Sequence, residues 1–292
     1  MLTLIGILLI SALVVLIGTG AAGFVAMLVG AGVPERGAAG PATLPAPGPV
    51  RGRWVGSALV AGVAVAVTML AGAVLLRAAV VGHAPWSNLH EFSIAFAAAL
   101  GATYLVLLRS APIAGLAPIV AVVAAALVGL ALSLEARVDA LVPALQQPLL
   151  LTIHVGSAAV AYAVAGVAFA AAAAEIAQRG TRDGIGLLPA ASVARAVSHR
   201  ATLIAVPILT LAIVLGSVWA NLAWRSYWSN DPKELAAAAT WLVFGAYLHV
   251  AGRRDRWERL APWLIVLGFV GVLFTYIGAG LFIVGEHSYG AP

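Results

Sequence analysis

Eight stretches of this chain, at about 3–32, 57–81, 91–108, 111–134, 151–174, 201–222, 235–252 and 262–285, run for 18 residues or more with few charged side chains. As helices rising about 1.5 Å per residue, such runs are long enough to cross roughly 30 Å of hydrocarbon. Composition agrees: 63% of the 292 residues are hydrophobic and 9% charged, against about a quarter charged in a soluble domain. The expected fold is an all-α, polytopic transmembrane bundle of about eight helices in one domain, with Ala and Gly at the helix contacts. The first run is too long for a signal peptide and lacks a charged start and a small-residue cleavage site, so it is read as a helix.

Cytoplasmic loops of membrane proteins hold Lys and Arg in excess. One set of alternate connections carries twelve of the sixteen basic residues, among them Arg36, Arg51, Arg109, Arg179, Arg195 and Arg253. The other set has Arg77, Arg137, Arg225 and Lys233. This asymmetry predicts that both termini and the segment at 218–234 lie outside the cytoplasm. The net charge of +5 then follows from membrane topology, and no nucleic-acid partner is needed to explain it. The partner that this composition does imply is the lipid membrane.

Residues 33–53, "VPERGAAGPATLPAPGPVRGR", are rich in Pro and Gly without apolar periodicity, which reads as a flexible cytoplasmic linker. It separates a first transmembrane helix at 1–32, a loosely attached addition, from a membrane domain at 54–292. The connection at 175–200 reads as a loop followed by a short interfacial helix. Without cysteine the chain has no thiol nucleophile and no redox dithiol of its own.

The unusual chemistry collects in the connections placed outside. "VWANLAWRSYWSNDPKE", residues 218–234, holds Trp219, Trp224 and Trp228 and then turns polar. Asp231 suits an N-cap, Pro232 the first helical position and Glu234 the third, so "DPKE" starts a helix. Trp219 and Trp241 fit an interfacial aromatic belt. Trp224, Tyr227 and Trp228 are read as lying in a polar loop with no apolar run to anchor, where flat aromatic rings suit a flat apolar ligand with polar edges.

Single histidines in membrane proteins most often make structural hydrogen bonds. His154, at the start of the fifth run, and His287, after the eighth, are expected at the level of the tryptophan segment. Two neutral imidazoles from separate helices beside a tryptophan platform can ligate a haem iron, and Arg225 or Lys233 can pair with its propionates. His249 lies 17 residues after Pro232, about 25 Å deeper along a helix, which makes it a second site. His83 and His90 read as loop and helix-start structure, with Asn88 and Glu91 as another capping box. His199 reads as interfacial.

At these residues the chain resembles the CcsA (ResC) family of haem-handling membrane proteins of cytochrome c maturation. "WANLAWRSYWSNDPKE" is similar to that family's WWD signature, and "GHAPWSNLHEF" to its Gly-His-x-Pro-x-Ser-Asn-x-Tyr-Glu stretch. "LVPALQQPLLLTIHV", "TWLVFGAYLH" and "FTYIGAGLFIVGEHSYG" resemble further family segments in order. The resemblance implies that His154 and His287 are axial ligands of an external haem b, carried as cargo, with Trp219, Trp224, Trp228 and Asp231 in its cradle. It implies an inner haem site at His249, completed by a CcsB (ResB) partner subunit.

The implied activity is that of a subunit of a holocytochrome c synthase, a haem lyase of the bacterial cytoplasmic membrane. Haem would be carried outward and presented to the Cys-x-x-Cys-His thiols of an apocytochrome c. Two positions depart from the family: Asn230 stands where tryptophan is usual and Arg225 where glycine is usual. Other readings are a haem chaperone that passes haem to another carrier, a transporter of a different amphipathic solute, and a cytochrome with permanently bound haem.

Overall fold

The computed structural model describes residues 1–30, 50–138, 148–181, 184–253 and 256–278, together with Ile283 and Gly285. Helices α1 (Leu2–Leu28), α2 (Val50–Val81), α3 (Leu89–Leu108), α4 (Ala117–Ser133), α5 (Pro148–Arg179), α6 (Ala191–Trp224), α7 (Pro232–Val250) and α8 (Arg256–Leu273) make up the bundle. A 3₁₀ turn, Ala114–Leu116, precedes α4, and a π-helical turn, Phe274–Gly278, extends α8. The all-helical membrane bundle is therefore as the apolar runs predict. Seven of these helical segments are long and apolar enough to cross a membrane. The exception is α7, whose first turn holds Lys233 and Glu234 and whose last holds His249.

The helices pack into two groups that share a centre. On one side α1 lies against α2 and α4; on the other α6 and α8 flank α7; α3 and α5 join the two. The most extensive contact is between α5 and α6. Small residues set these approaches: Gly268 of α8 faces the Phe244 ring of α7, where an added Cβ would lie 2.6 Å from Cε1. Gly23 of α1 meets Pro118 of α4, and Gly62 of α2 meets Thr19 of α1. Through these contacts, with Ile5, Leu9, Ala12 and Leu16 buried, α1 is a packed member of the bundle and not a loose addition.

Two boundaries differ from the sequence expectation. The helix of α2 begins at Val50, inside the stretch read as linker, whose residues 33–49 lie outside the described residues. No separate interfacial helix occurs among the described residues of 175–200: α5 runs on to Arg179 and α6 begins at Ala191 and continues unbroken to Trp224. The ion pairs of this end explain the extension. The buried Glu175 carboxylate accepts from Arg179 at 2.7 Å and Arg195 at 3.0 Å, and Arg195 also reaches Glu258 of α8 at 2.6 Å. Charges that a loop would leave in water thus bind three helices together.

Candidate functional site

The end of the bundle opposite these arginines gathers the last turn of α6, the first turns of α3, α5 and α7, and the π turn after α8. Between them lies a cavity of about 1440 Å³, its open mouth included. Its floor is aromatic: Phe92, Tyr162 and Tyr276 meet there, with Phe92 and Tyr276 ring centres 5.1 Å apart and Phe92 and Tyr162 6.3 Å apart. Tyr276 is held by a hydrogen bond with Ser93. The π turn, a distortion often found at functional sites, carries Thr275, Tyr276 and Ile277 onto the wall.

His154 stands on the α5 wall, where Leu151, Val155, Ala158 and Tyr162 share its helical face. Its Nδ1 lies 2.9 Å from the Ala212 carbonyl oxygen of α6. A carbonyl only accepts, so Nδ1 carries the proton and the lone pair of the neutral ring sits on Nε2. The ring rests on Gly216, where a Cβ would come within 2.7 Å of Cε1. It lies nearly parallel to the Trp219 indole, at 11° and 6.2 Å, and Trp224 packs edge-on against Trp219 at 4.8 Å. The imidazole is thus fixed in both tautomer and orientation by its neighbours on α6.

Trp219 is 2% exposed, so it is a buried support for His154 and not a belt residue. Trp224 is the last residue of α6 and not part of a loop. Trp241 sits in the middle of α7, its Nε1 donating to Thr210 of α6 at 2.8 Å. The chain leaves α6 through Arg225, whose φ of 62° makes it a left-handed C-cap. Side chains then fix the loop: Ser217 Oγ donates to the Tyr227 carbonyl, Ser226 Oγ to that of Trp228, and Trp228 Nε1 to Asn230 Oδ1. Trp228 remains 42% exposed at the cavity wall.

Asp231 closes this segment as the sequence predicts. Its Oδ1 accepts from the Lys233 amide at 2.8 Å, and Glu234 Oε2 accepts from the Asp231 amide at 3.2 Å and the Ser229 amide at 2.8 Å, a full capping box. Gly285 backs onto Asp231 Oδ2 and Pro232, so close that no Cβ fits. Lys233 lines the cavity half-buried, ahead of the apolar part of α7. Burial holds its ammonium pKa below the usual lysine value, with the Asp231 carboxylate partly offsetting this.

Among the residues expected at the site, His154, Trp219, Trp228 and Lys233 line the cavity, and Trp224 packs edge-on against Trp219 off its wall. Arg225 is exposed and outside the cavity wall, and Asp231 is a cap beside it. His249 lies near the far end of α7, exposed, its Nε2 accepting from Arg253 at 3.1 Å. His287 lies outside the described residues. Of the others, His83 Nδ1 is 2.9 Å from the Ala84 carbonyl, His90 is buried with Nδ1 2.7 Å from that of Ala131, and His199 meets the Tyr247 hydroxyl. The Asn88 cap is present, but the Glu91 carboxylate accepts from Ser87 and Arg77.

Sequence reasoning missed Tyr162 and Trp86. Tyr162 lies eight residues after His154, about two turns on the same face, a spacing that the sequence does carry. Trp86 stands in "PWSN", and no local signal turns its ring toward the cavity.

Comparison with known proteins adds an independent line. The family described as Cytochrome C assembly protein matches residues 86–287. The cytochrome c biogenesis protein CcsA of Microcystis aeruginosa is 49% identical over 94 residues, 32% of this chain and 29% of the relative. CcsA of Trichormus variabilis is likewise 49% identical over 94 residues, covering 32% of this chain and 27% of the relative, and CcsA of Gloeobacter violaceus is 45% identical over 94, covering 32% and 28%. The match thus spans under a third of the length of these relatives. With the family pattern running through well over half of its residues, from the cavity's Trp86 to His287, this chain belongs to the Cytochrome C assembly protein family, alongside the CcsA proteins.

Proposed function

We propose that this chain acts in cytochrome c biogenesis, holding haem b in the aromatic cavity for thioether attachment to an apocytochrome c. The observation that carries the reading is His154: its Nδ1 proton is committed to the Ala212 carbonyl, which makes Nε2 the ligating atom of a ring seated on Gly216 and Trp219. An orienting partner of this kind is what metal-ligating histidines use. The match to cytochrome c assembly proteins supports a metal that arrives in its own macrocycle. The surrounding faces of Tyr162, Phe92 and Trp228 suit a flat apolar ring, and Lys233 is a cation within reach of its acid groups.

In this reading His287 is the second ligand of the haem iron, as the family resemblance implies. The apocytochrome's thiols add across the vinyl groups, sulfur to one carbon and hydrogen to the other, while the chain holds the ring still. Arg179, Arg195, Arg200 and Arg253 at the other end support reading that end as cytoplasmic and His249 as the inner haem site. A CcsB (ResB) subunit completes that site and the synthase.

The test is the absorption spectrum of the purified protein, oxidised and reduced, with and without the His154→Ala, His287→Ala double substitution. A bis-histidine haem signal in the wild type that the double variant lacks is the expected result. Wild-type protein that takes up no haem, even with the partner present, overturns the reading.

A further inference from the structure

The family stretch that residues 82–92 resemble leaves the position of Trp86 open, and the haem reading gives that residue nothing to do. Its indole lies on the cavity wall, and its Nε1–H is buried with no hydrogen-bond partner among the described residues. Buried donors are almost always paired, and an exception calls for a cause. A mobile turn is not the cause here. The Trp86 amide donates to the Ala84 carbonyl at 3.0 Å. The Ser87 amide and hydroxyl both donate to Glu91 Oε2, at 3.0 and 2.8 Å. Glu91 Oε1 in turn accepts from Arg77 at 2.8 Å. The turn that carries the indole is therefore held by a fixed chain from α2 through α3.

The other charged groups of the cavity wall sharpen what that N–H would receive. Lys233 and Glu234 adjoin on α7, and Glu234 Oε1 is buried without a hydrogen-bond partner among the described residues. Lys233 attracts an acid group and the adjacent Glu234 partly offsets that attraction, so an oriented neutral donor adds the direction that charge alone does not give. A site that leaves a donor waiting rejects ligands that lack the matching acceptor.

We propose that Trp86 is a specificity-determining residue of this cavity, its indole N–H donating to a carboxylate oxygen on the edge of the bound ring, which selects an amphipathic acid over a purely apolar macrocycle. This rests on the haem reading for the identity of the cargo, iron protoporphyrin, which carries two propionates.

The test is spectroscopic titration of the full-length protein with two probes, iron protoporphyrin IX and iron octaethylporphyrin, the second having the same ring and metal but no carboxyl group. Trp86→Phe removes the N–H and keeps an aromatic ring. The expected result is a loss of affinity for iron protoporphyrin of about tenfold, the worth of one hydrogen bond to a charged acceptor, with unchanged affinity for iron octaethylporphyrin. That unchanged affinity also reports that the variant is folded. Equal losses for both probes would make Trp86 a packing residue and overturn the proposal, as would no loss for either. Wild-type protein that binds neither probe overturns the haem reading and this proposal together, whereas a wild type that binds iron protoporphyrin as tightly as the variant does overturns this one alone.

Discussion

Arg77 and Glu91 form an ion pair with 1% of each side chain exposed, Nε to Oε1 at 2.8 Å, at the junction of α2 and α3. The pair is also a hub: Arg77 donates to the carbonyls of Ala136 and Arg137, and Glu91 holds Ser87. Three segments of one end of the bundle meet on it. Removing one partner of a buried pair leaves the other charge uncompensated, at a cost of about 3–5 kcal/mol. Arg77→Ala and Glu91→Ala are each expected to lower stability by that order, measured by equilibrium unfolding in detergent. A change below about 1 kcal/mol, the worth of an exposed pair, would contradict this burial.

Gly216 seats the His154 ring, and a Cβ there would lie 2.7 Å from Cε1 and 3.2 Å from Nδ1. Gly216→Ala is expected to displace the imidazole and weaken haem retention roughly tenfold or more, as lost orienting contacts do at metal ligands. Gly156→Ala, two residues from His154 but with nothing within 4 Å of its added Cβ, is expected to leave it unchanged. Soret absorbance per mole of purified protein compares the two.

Arg225 takes a left-handed conformation, φ 62°, that carries a steric penalty of roughly 1–2 kcal/mol for residues with a Cβ. Its exposed guanidinium lies outside the cavity wall. Arg225→Gly is expected to raise stability by up to about 1 kcal/mol, the added freedom of the unfolded chain taking back part of the gain. Haem affinity should not change. Reduced thermal stability of the variant would contradict the strain.

Lys233 has a pKa held down by burial, so between its folded pKa and the unfolded value the unfolded chain binds more protons. Stability from this group therefore rises as pH rises through the folded pKa and levels off above the unfolded value, about 10.4. Below the folded pKa the buried ammonium opposes folding in full. Lys233→Met is accordingly expected to be more stable than wild type at neutral pH and to lose that advantage toward pH 10, while binding iron protoporphyrin less tightly. Unfolding midpoints across the pH range measure it, and a gain independent of pH would refute it.

His249 and the cavity lie at opposite ends of α7, about 25 Å apart along its axis. His249→Ala is expected to leave uptake of haem added to purified protein unchanged and to lower the haem that the protein acquires in cells. Equal occupancy in cells would argue against His249 as a way-station.

The features legible in the sequence are those set by near neighbours in the chain. Apolar runs gave the helices, because length and composition alone decide what can cross a bilayer. "SNDPKE" gave the α7 start, because a capping box needs only residues three apart. His154 was legible as a ligand candidate beside the tryptophans. The structure decided what those tryptophans do. Trp219 is buried beside His154, Trp224 ends a helix, and Trp86 and Tyr162 join the cavity, while Arg225 is not part of its wall. The reason lies in the solvent. In a soluble helix a polar face marks the outside, but α5 and α6 are apolar nearly all round, and lipid is as apolar as a protein core. The choice between facing lipid and facing a neighbour then falls to shape, such as Gly216 admitting an imidazole. Shape of that kind exists only once the helices have packed.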